Sequence, residues 1–391
     1  MIKYKISDIC NIIGGNPAPK GENIFGNEGL PFLKMKDLGR YHTTNNLVNI
    51  ENKVSNENAR KNNLKIIKKG AILLPRSGSV GLNHRAVLGL DAYMVSHICA
   101  LVIKDFTKVN NIFLYYYLKT IDFKNITKKT TGLDALTFED LGKIQIPLPP
   151  LPEQKRIADL LDRAESIRQK RKESIALLDE FLKSVFIDMF GDPVRNEKGW
   201  EVKKFSQVGT LERGRSKHRP RNAPHLLGGK YPLIQTGEIA NSGGFIRSYT
   251  HTYSDLGLKQ SKLWPKDTLC ITIAANIGKT AILTFEACFP DSVVGFKPNK
   301  EMIKTEYVQY WISFIQNSLE DSAPQVAQKN INLEILRKLN IPVPPLNLQI
   351  QFSKIIKQVE QTKSKMEESL REMDNQFGAL LQSAFKGGNL D

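Results

Sequence analysis

At 391 residues the chain has room for two or three domains with real cores. Its composition, 41% hydrophobic and 25% charged, excludes a disordered or fibrous protein, and no apolar run approaches the roughly 18 residues of a membrane span. Lys and Arg outnumber Asp and Glu by 56 to 40, and this net charge of +16 favours a polyanionic partner.

The N-terminus, MIKYKISDIC, has neither a signal h-region nor a transit-peptide pattern. Cys10, Cys99, Cys270 and Cys288 lie far apart, so they read as buried thiols of a cytoplasmic protein rather than disulfides or a zinc site. Residues 1–145 alternate short apolar runs with turn residues. Ile6 to Ile13 ends in Gly14-Gly15-Asn16-Pro17, and Leu30 to Leu38 reads as a strand into a turn. Gly70 to Pro75 and Ser96 to Ile103 read as buried strands, Ile112 to Leu118 starts a helix, and Leu136 to Leu141 leads into a proline-rich stretch.

Residues 146–191 open with Pro147, Pro149, Pro150 and Pro152, which cannot be helical, and continue without proline for forty residues. Ile157, Leu161, Ala164, Arg168, Arg171, Ile175, Leu178, Leu182, Val185 and Met189 then recur at steps of four and three. That heptad seam predicts a long helix with a partner, stopped at Gly191-Asp192-Pro193.

Residues 192–340 repeat the first segment loosely. Phe205 to Val208 answers Ile6 to Ile9 at an offset of 199, Ile234 to Ile239 answers Leu33 to Leu38 at 201, and Asp267 to Ile271 answers Gly70 to Leu74 at 197. Tyr307 to Ile315 is again an aromatic-rich helical stretch. Residues 341–391 repeat the helix with an ungapped shift of 195: Ile146/Ile341, Pro149/Pro344, Pro150/Pro345, Gln154/Gln349, Glu165/Glu360, Asp179/Asp374 and Phe190/Phe385 coincide. The seam returns as Phe352, Ile356, Val359, Lys363, Met366, Leu370, Met373, Phe377, Leu380 and Ala384, with its polar interruption again in place, Lys363 for Arg168. Heptads can converge, but a shared proline-rich lead-in in ungapped register is duplication.

The order is therefore globule, helix, globule, helix, in an α+β chain. The two helices are expected to pair as an antiparallel coiled coil with pseudo-twofold symmetry. About 38 residues at about 1.5 Å rise span roughly 57 Å, more than the roughly 34 Å of one duplex turn. The charge follows the same division. Residues 1–145 hold 21 Lys and Arg against 12 Asp and Glu, and residues 192–340 hold 21 against 14, whereas both helical segments are neutral. Two similar modules meeting a polyanion on a neutral frame give that pattern.

Two variable globules, each followed by a lead-in such as Ile146-Pro147-Leu148-Pro149-Pro150-Leu151-Pro152-Glu153-Gln154 and a long heptad helix, resemble the specificity subunit of a type I restriction–modification system. The second copy departs from the lead-in at Asn347 and Leu348. The resemblance covers the whole chain. It implies that the globules are target recognition domains reading an asymmetric bipartite site in double-stranded DNA. It also implies docking of two modification (methyltransferase) subunits, then of restriction (translocase–nuclease) subunits. S-adenosylmethionine, ATP and Mg would be bound by those partners, and no cofactor by this chain.

Candidate DNA-binding residues follow from basic side chains in Gly-, Ser- or Pro-broken loops. The densest such loop runs from Glu212 to Arg221 and holds Arg213, Arg215, Lys217, Arg219 and Arg221. Arginine pairs bidentately with guanine, so some would read bases and others phosphates. In the first globule the analogous candidates are Arg76 and Ser77 after a buried strand, His84 and Arg85, and Lys128, Lys129 and Thr131. Lys279 and Lys329 complete the set. A structural arginine paired at the core edge fits position 76 equally well. Tyr115, Tyr116, Tyr117 and Trp311 sit at helical spacing and read as core.

No catalytic set is legible. Ile277-Gly278-Lys279-Thr280 has the end of a P-loop, but Ile273 stands where its first glycine must sit. Asn16-Pro17-Ala18-Pro19 lacks the second proline and the aromatic of an amino-methyltransferase tetrad, and the six histidines show no ligand spacing. The chain is expected to supply address rather than chemistry. Two other assignments fit the same residues. One is the specificity component of a related methyltransferase–nuclease without a translocase. The other is a coiled-coil scaffold holding protein-binding globules, which would show no salt-dependent DNA affinity.

Overall fold

The longer helices, in chain order, are α1 (Asn111–Lys119), α2 (Leu151–Phe190), α3 (Thr305–Asp321) and α4 (Leu346–Lys386). They belong to a computed structural model that describes residues 2–21, 24–42, 44–126, 128–129, 134–221, 223–274, 276–321 and 331–386. Helix α2 begins one residue before Pro152 rather than after it. A proline in the first turn costs nothing, because the N–H it lacks would have no intrahelical acceptor there.

The chain divides into two units: Met1–Arg171 with Ser369–Asp391, and Lys172–Glu368. Each thus takes one globule together with part of α2 and part of α4. In the first unit an antiparallel sheet runs in the order Cys10–Gly14, Ile98–Ile103, Ile72–Pro75, Ala86–Val87. A second sheet, Phe25–Gly26, Lys53–Val54, Leu30–Leu33, Tyr93–Met94, ends in a parallel pair. The second unit repeats the first sheet as Gly209–Arg213, Val293–Pro298, Leu269–Thr272, Thr280–Leu283 and adds Phe245–Ile246. Its other sheet, His251–Tyr253, Leu227–Leu233, Ala287–Cys288, Leu263–Trp264, keeps a parallel pairing, Leu233 with Cys288.

The central strands Ile72–Pro75 and Leu269–Thr272 are buried throughout because alternate side chains feed two cores. Ile72 and Leu74 face the core that includes Ile157 and Leu161 of α2, while Leu73 joins Phe32 and Tyr93. Likewise Leu269 and Ile271 share a core with Phe186 and Phe352, while Cys270 packs with Trp264 and Phe289. All four cysteines are buried and free. Tyr115, Tyr116 and Trp311 are core residues, and Tyr117 is half-buried.

The local correspondences in sequence are shared hydrogen-bonding devices. Leu30–Leu33 is a strand, but it leads into the short helix Met35–Arg40 rather than a turn, because the Asp37 carboxylate accepts the Lys34 N–H at 2.8 Å. Glu238 accepts the Gln235 N–H in the same way at 2.8 Å. Each globule is closed by an antiparallel clasp, Ile2–Lys5 with Gln145–Leu148 and Glu201–Lys204 with Asn340–Val343. Past each clasp, the Ile6 N–H donates to Ile144 O and the Phe205 N–H to Leu339 O.

Within each unit the portions of α2 and α4 run antiparallel. In the first unit the Arg168 Nε donates to Asp374 Oδ1 at 2.8 Å, and its guanidinium lies over the Phe377 ring. In the second, the Lys363 Nζ donates to Asp179 Oδ1 at 2.7 Å, and Phe186 and Phe190 pack on Phe352. Arg168 and Lys363 are equivalent under the 195-residue shift, as are Asp179 and Asp374. The polar interruption in the seam is therefore one cross-helix ion pair used twice. Charged residues inside an apolar seam fix register, since any slip leaves them unpaired. Ile157, Leu161, Leu182, Phe352, Ile356 and Phe377 are buried along the seam, and Ile175, Leu178, Leu370 and Leu380 half-buried.

Candidate nucleic-acid interface

In the second unit the loop after strand Gly209–Arg213 has its backbone pinned from the side. Ser261 Oγ donates to Arg215 O at 2.9 Å, and the His218 N–H donates to Gln260 Oε1 at 3.1 Å. Gly214 crosses so close to the chain at Phe289 and Pro290 that a Cβ there would meet their carbonyl oxygens at 2.5 and 2.3 Å. Asp291 then gathers three of the arginines: Arg213 Nε donates to its carbonyl at 2.6 Å, Arg219 to its carboxylate at 3.0 Å, and Arg221 to the other carboxylate oxygen. Lys262 pairs with Glu212 and holds that carboxyl below its ordinary range. Arg213, Arg215, Lys217, Arg219 and Arg221 are all exposed.

One aspartate thus orients three guanidiniums, two through its carboxylate and one through its carbonyl, without neutralising the group, and Arg215 and Lys217 hold no ion pair among the described residues. Such a platform presents planar donors in fixed directions, which lowers the ordering cost of meeting bases or phosphates. A cavity of about 230 Å³ lies beside it, lined by Arg221, Gln235, His251 and Tyr253 among others. Replacing Arg215 and Lys217 together by alanine should weaken duplex affinity roughly 10- to 100-fold at physiological salt. The slope of log affinity against log salt should fall by about 1.8, two phosphate contacts at about 0.9 each, in a fluorescence anisotropy titration.

The first unit brings together a smaller group. Arg76 is exposed, lies over the Phe138 ring at 4.6 Å and takes the Leu136 N–H on its carbonyl at 2.9 Å. Ser77 Oγ lies 2.7 Å from His97 Nδ1, and Ser77 bridges to Ala135. Ala135 belongs to the two-strand ribbon Lys128–Lys129 with Asp134–Ala135, so Arg76, Ser77, Lys128 and Lys129 share one edge of this unit. Thr131 and Lys329 lie outside the described residues.

The remaining candidates go elsewhere. Arg85 is 3% exposed, donates to Asn83 O at 2.9 Å and Ile121 O at 2.5 Å, and covers the Phe123 ring. Burial pulls its pKa down to about 10, against the opposing influence of neighbouring Tyr115 and Asp122. The guanidinium is committed to holding that loop, which corrects the sequence-based expectation that Arg85 faces DNA. His84 stacks on His42 with ring centroids 4.3 Å apart, and partial burial, then His42, lowers its pKa. Lys279 sits in the hairpin between Leu269–Thr272 and Thr280–Leu283, where Thr272 Oγ1 accepts its N–H and its Nζ donates to Gln316. The P-loop-like tetrapeptide is thus the end of a hairpin connection and the first residue of the strand that follows it. Sequence reasoning missed Asp291, Gln260 and Ser261, which organise the basic loop. They lie 40 or more residues away in neutral-looking surroundings, and no local pattern marks them.

Two copies of one strand-rich domain, each sharing a core with parts of two long helices and one carrying an organised arginine platform, define a duplicated domain family. The family model described as type I restriction modification DNA specificity domain matches residues 1–177 and 197–372, and the chain belongs to that family. The type I restriction enzyme EcoBI specificity subunit of Escherichia coli is 21% identical over 426 residues, covering 99% of this chain and 85% of that one. The MjaIX specificity subunit of Methanocaldococcus jannaschii is 25% identical over 280 residues, 66% of this chain, and the match spans 62% of its length. The crystal structure of a type I restriction–modification S subunit from M. genitalium has a TM-score of 0.58 at 16% identity, covering 98% of this chain and 96% of that one. A structure described under complex assembly and conformational transition of the type I system also scores 0.58, at 17% identity, covering 98% and 97%. Among the described residues no helix is long and apolar enough to cross a membrane.

Proposed function

We propose that the chain is the non-catalytic, DNA-reading subunit of a cytoplasmic type I restriction–modification complex. The observation that carries this reading is the arginine platform around Asp291, built on a scaffold used twice but furnished with different loops. In the first unit the basic edge lies elsewhere in the repeat, at Arg76–Ser77 after Ile72–Pro75, the counterpart of Leu269–Thr272, so the two units differ in which loop carries the basic residues. Two unlike readers recognise two unlike half-sites, so the full site is asymmetric and bipartite. Helices α2 and α4, 40 and 41 residues long, hold the unread spacer to one length. Two modification subunits dock on the chain, and restriction subunits join them; S-adenosylmethionine, ATP and Mg serve those partners.

Co-expression with the cognate modification subunit, followed by genome-wide mapping of methylated adenines, tests this. One bipartite motif with a fixed spacer is expected. Exchanging residues 192–340 for the matching domain of a relative should change one half of the motif and leave the other half and the spacer intact. Loss of both halves together, or methylation without a motif, would refute the division of labour.

A further inference from the structure

The second unit contains a cavity of about 770 Å³ between strand Phe245–Ile246, the loop leading into α3, and α4. Its apolar floor includes Phe245, Ile303 and Ile356, the last two buried. Its rim carries Lys300, Lys354 and Lys357, all exposed and without an ion pair among the described residues. Asp267, Glu306 and Glu360 also line it, but Glu360 is already paired with Arg247. The 195-residue shift places Asp159 and Asp162 of α2 at the positions of Lys354 and Lys357. In the first unit Asp162 is taken by the chain itself, since Asn45 Nδ2 and Tyr116 OH both donate to its Oδ1 at 2.7 Å, while Asp159 stays exposed. In the second unit the charge is reversed and the face lines an open groove.

Resting on that functional reading, we propose that this groove receives an acidic, amphipathic peptide segment of the modification subunit. Its apolar side chains would cover the isoleucine and phenylalanine floor, and its carboxylates would meet the lysine rim. A groove with an apolar base and complementary charged edges fits a helix or strand with one greasy face. A duplex would gain nothing from that floor, and its phosphates would meet Asp267 and Glu306. Since Asp159 and Asp162 stand at the matching positions, the same segment could not bind the first unit in the same way. The chain therefore offers two copies of one partner unequal sites.

The test is isothermal titration of the full chain with its cognate modification subunit, alongside anisotropy with a random-sequence duplex. K354E/K357E should weaken association at least tenfold and flatten its salt dependence, with K354Q/K357Q intermediate. Duplex affinity of both variants should stay within twofold of wild type, which also certifies that they fold. Association within twofold of wild type in K354E/K357E would overturn the proposal. So would duplex affinity falling in step with association, since the groove would then belong to the DNA footprint. Failure of the wild-type chain to bind the modification subunit at all would instead defeat the functional reading, and this proposal with it.

Discussion

Gln349→Leu should destabilise the second unit by about 3–5 kcal/mol while leaving the first unit's hydrogen-exchange protection intact. Gln349 is fully buried in the first turn of α4. Its Oε1 accepts the Lys304 N–H at 2.8 Å, and its Nε2 donates to Pro344 O at 2.7 Å and Met302 O at 3.1 Å. One amide thus ties the proline-rich lead-in, the long helix and the loop before α3 at a single point. Leucine fills the volume but strands one N–H and two carbonyls, and each unsatisfied buried group costs about 1–3 kcal/mol. Gln154 makes the same three bonds, to the Asn110 N–H at 2.9 Å, Pro149 O at 2.8 Å and Lys108 O at 2.9 Å. Gln154→Leu should therefore be its mirror, lowering protection in the first unit only. Gln349→Glu separates the bonds from the volume. A carboxylate keeps the Lys304 N–H but faces two carbonyls, whereas its protonated form can donate to one of them. The folded state would thus bind that proton more tightly than the unfolded chain does. The deficit should therefore be smallest in acid and grow as pH rises from the ordinary carboxyl range up to the raised value of the folded state. A urea midpoint for Gln349→Leu that matches wild type would show the amide to be incidental.

That pair of glutamines shows what the sequence could and could not disclose. Their coincidence in an ungapped register was visible, because duplication preserves positions. Their purpose was not, because it lies in backbone atoms of Lys108, Asn110, Met302 and Lys304, which any residue could supply. The ion pairs sit between these extremes. Arg168 and Lys363 were legible as interruptions of an apolar seam, and Asp179 and Asp374 as shared positions. Joining each cation to the aspartate of the other helix requires knowing that the helices run antiparallel. The strands were readable where both faces are buried, as at Ile72–Pro75, and less so where a carboxylate caps a short helix, as at Asp37. Candidate DNA contacts were the least legible, since a basic residue in a broken loop looks the same whether it is free like Arg215 or enclosed like Arg85. Only the surrounding packing separates them.

Phe186→Ala should cost the second unit about 3–5 kcal/mol, the usual range for emptying a buried phenylalanine site. Phe186 of α2 is fully buried, with ring centroids 5.0 Å from Phe190, 5.4 Å from Tyr307, 5.1 Å from Phe314 and 5.5 Å from Phe352. It therefore touches α3 of the globule and α4 of the scaffold at once, and its removal loosens both joints. The first unit solves the same problem with different residues. The 195-residue shift puts Leu381 opposite Phe186 and Phe377 opposite Leu182, and there Phe385 packs on Phe113 and Tyr117 while Phe377 packs on Tyr116. Leu381→Ala, at a half-buried position, should accordingly cost clearly less than Phe186→Ala, whereas Phe377→Ala should be severe and Leu182→Ala intermediate. A helix that merely carried the globule would make Phe186→Ala and Leu381→Ala equivalent in a denaturant series. A helix that is part of the globule's own core makes them differ by about 1 kcal/mol or more, on the order of the aromatic pairings that only Phe186 makes. The same variant should also weaken duplex binding only in proportion to the fraction unfolded, because the loop that presents Arg215 and Lys217 is pinned by Ser261, Gln260 and Asp291 rather than by the core that Phe186 shares with Leu211 of the preceding strand. A loss of affinity in fully folded Phe186→Ala protein would mean that the packing at α2 sets the attitude of the arginine platform as well as its stability.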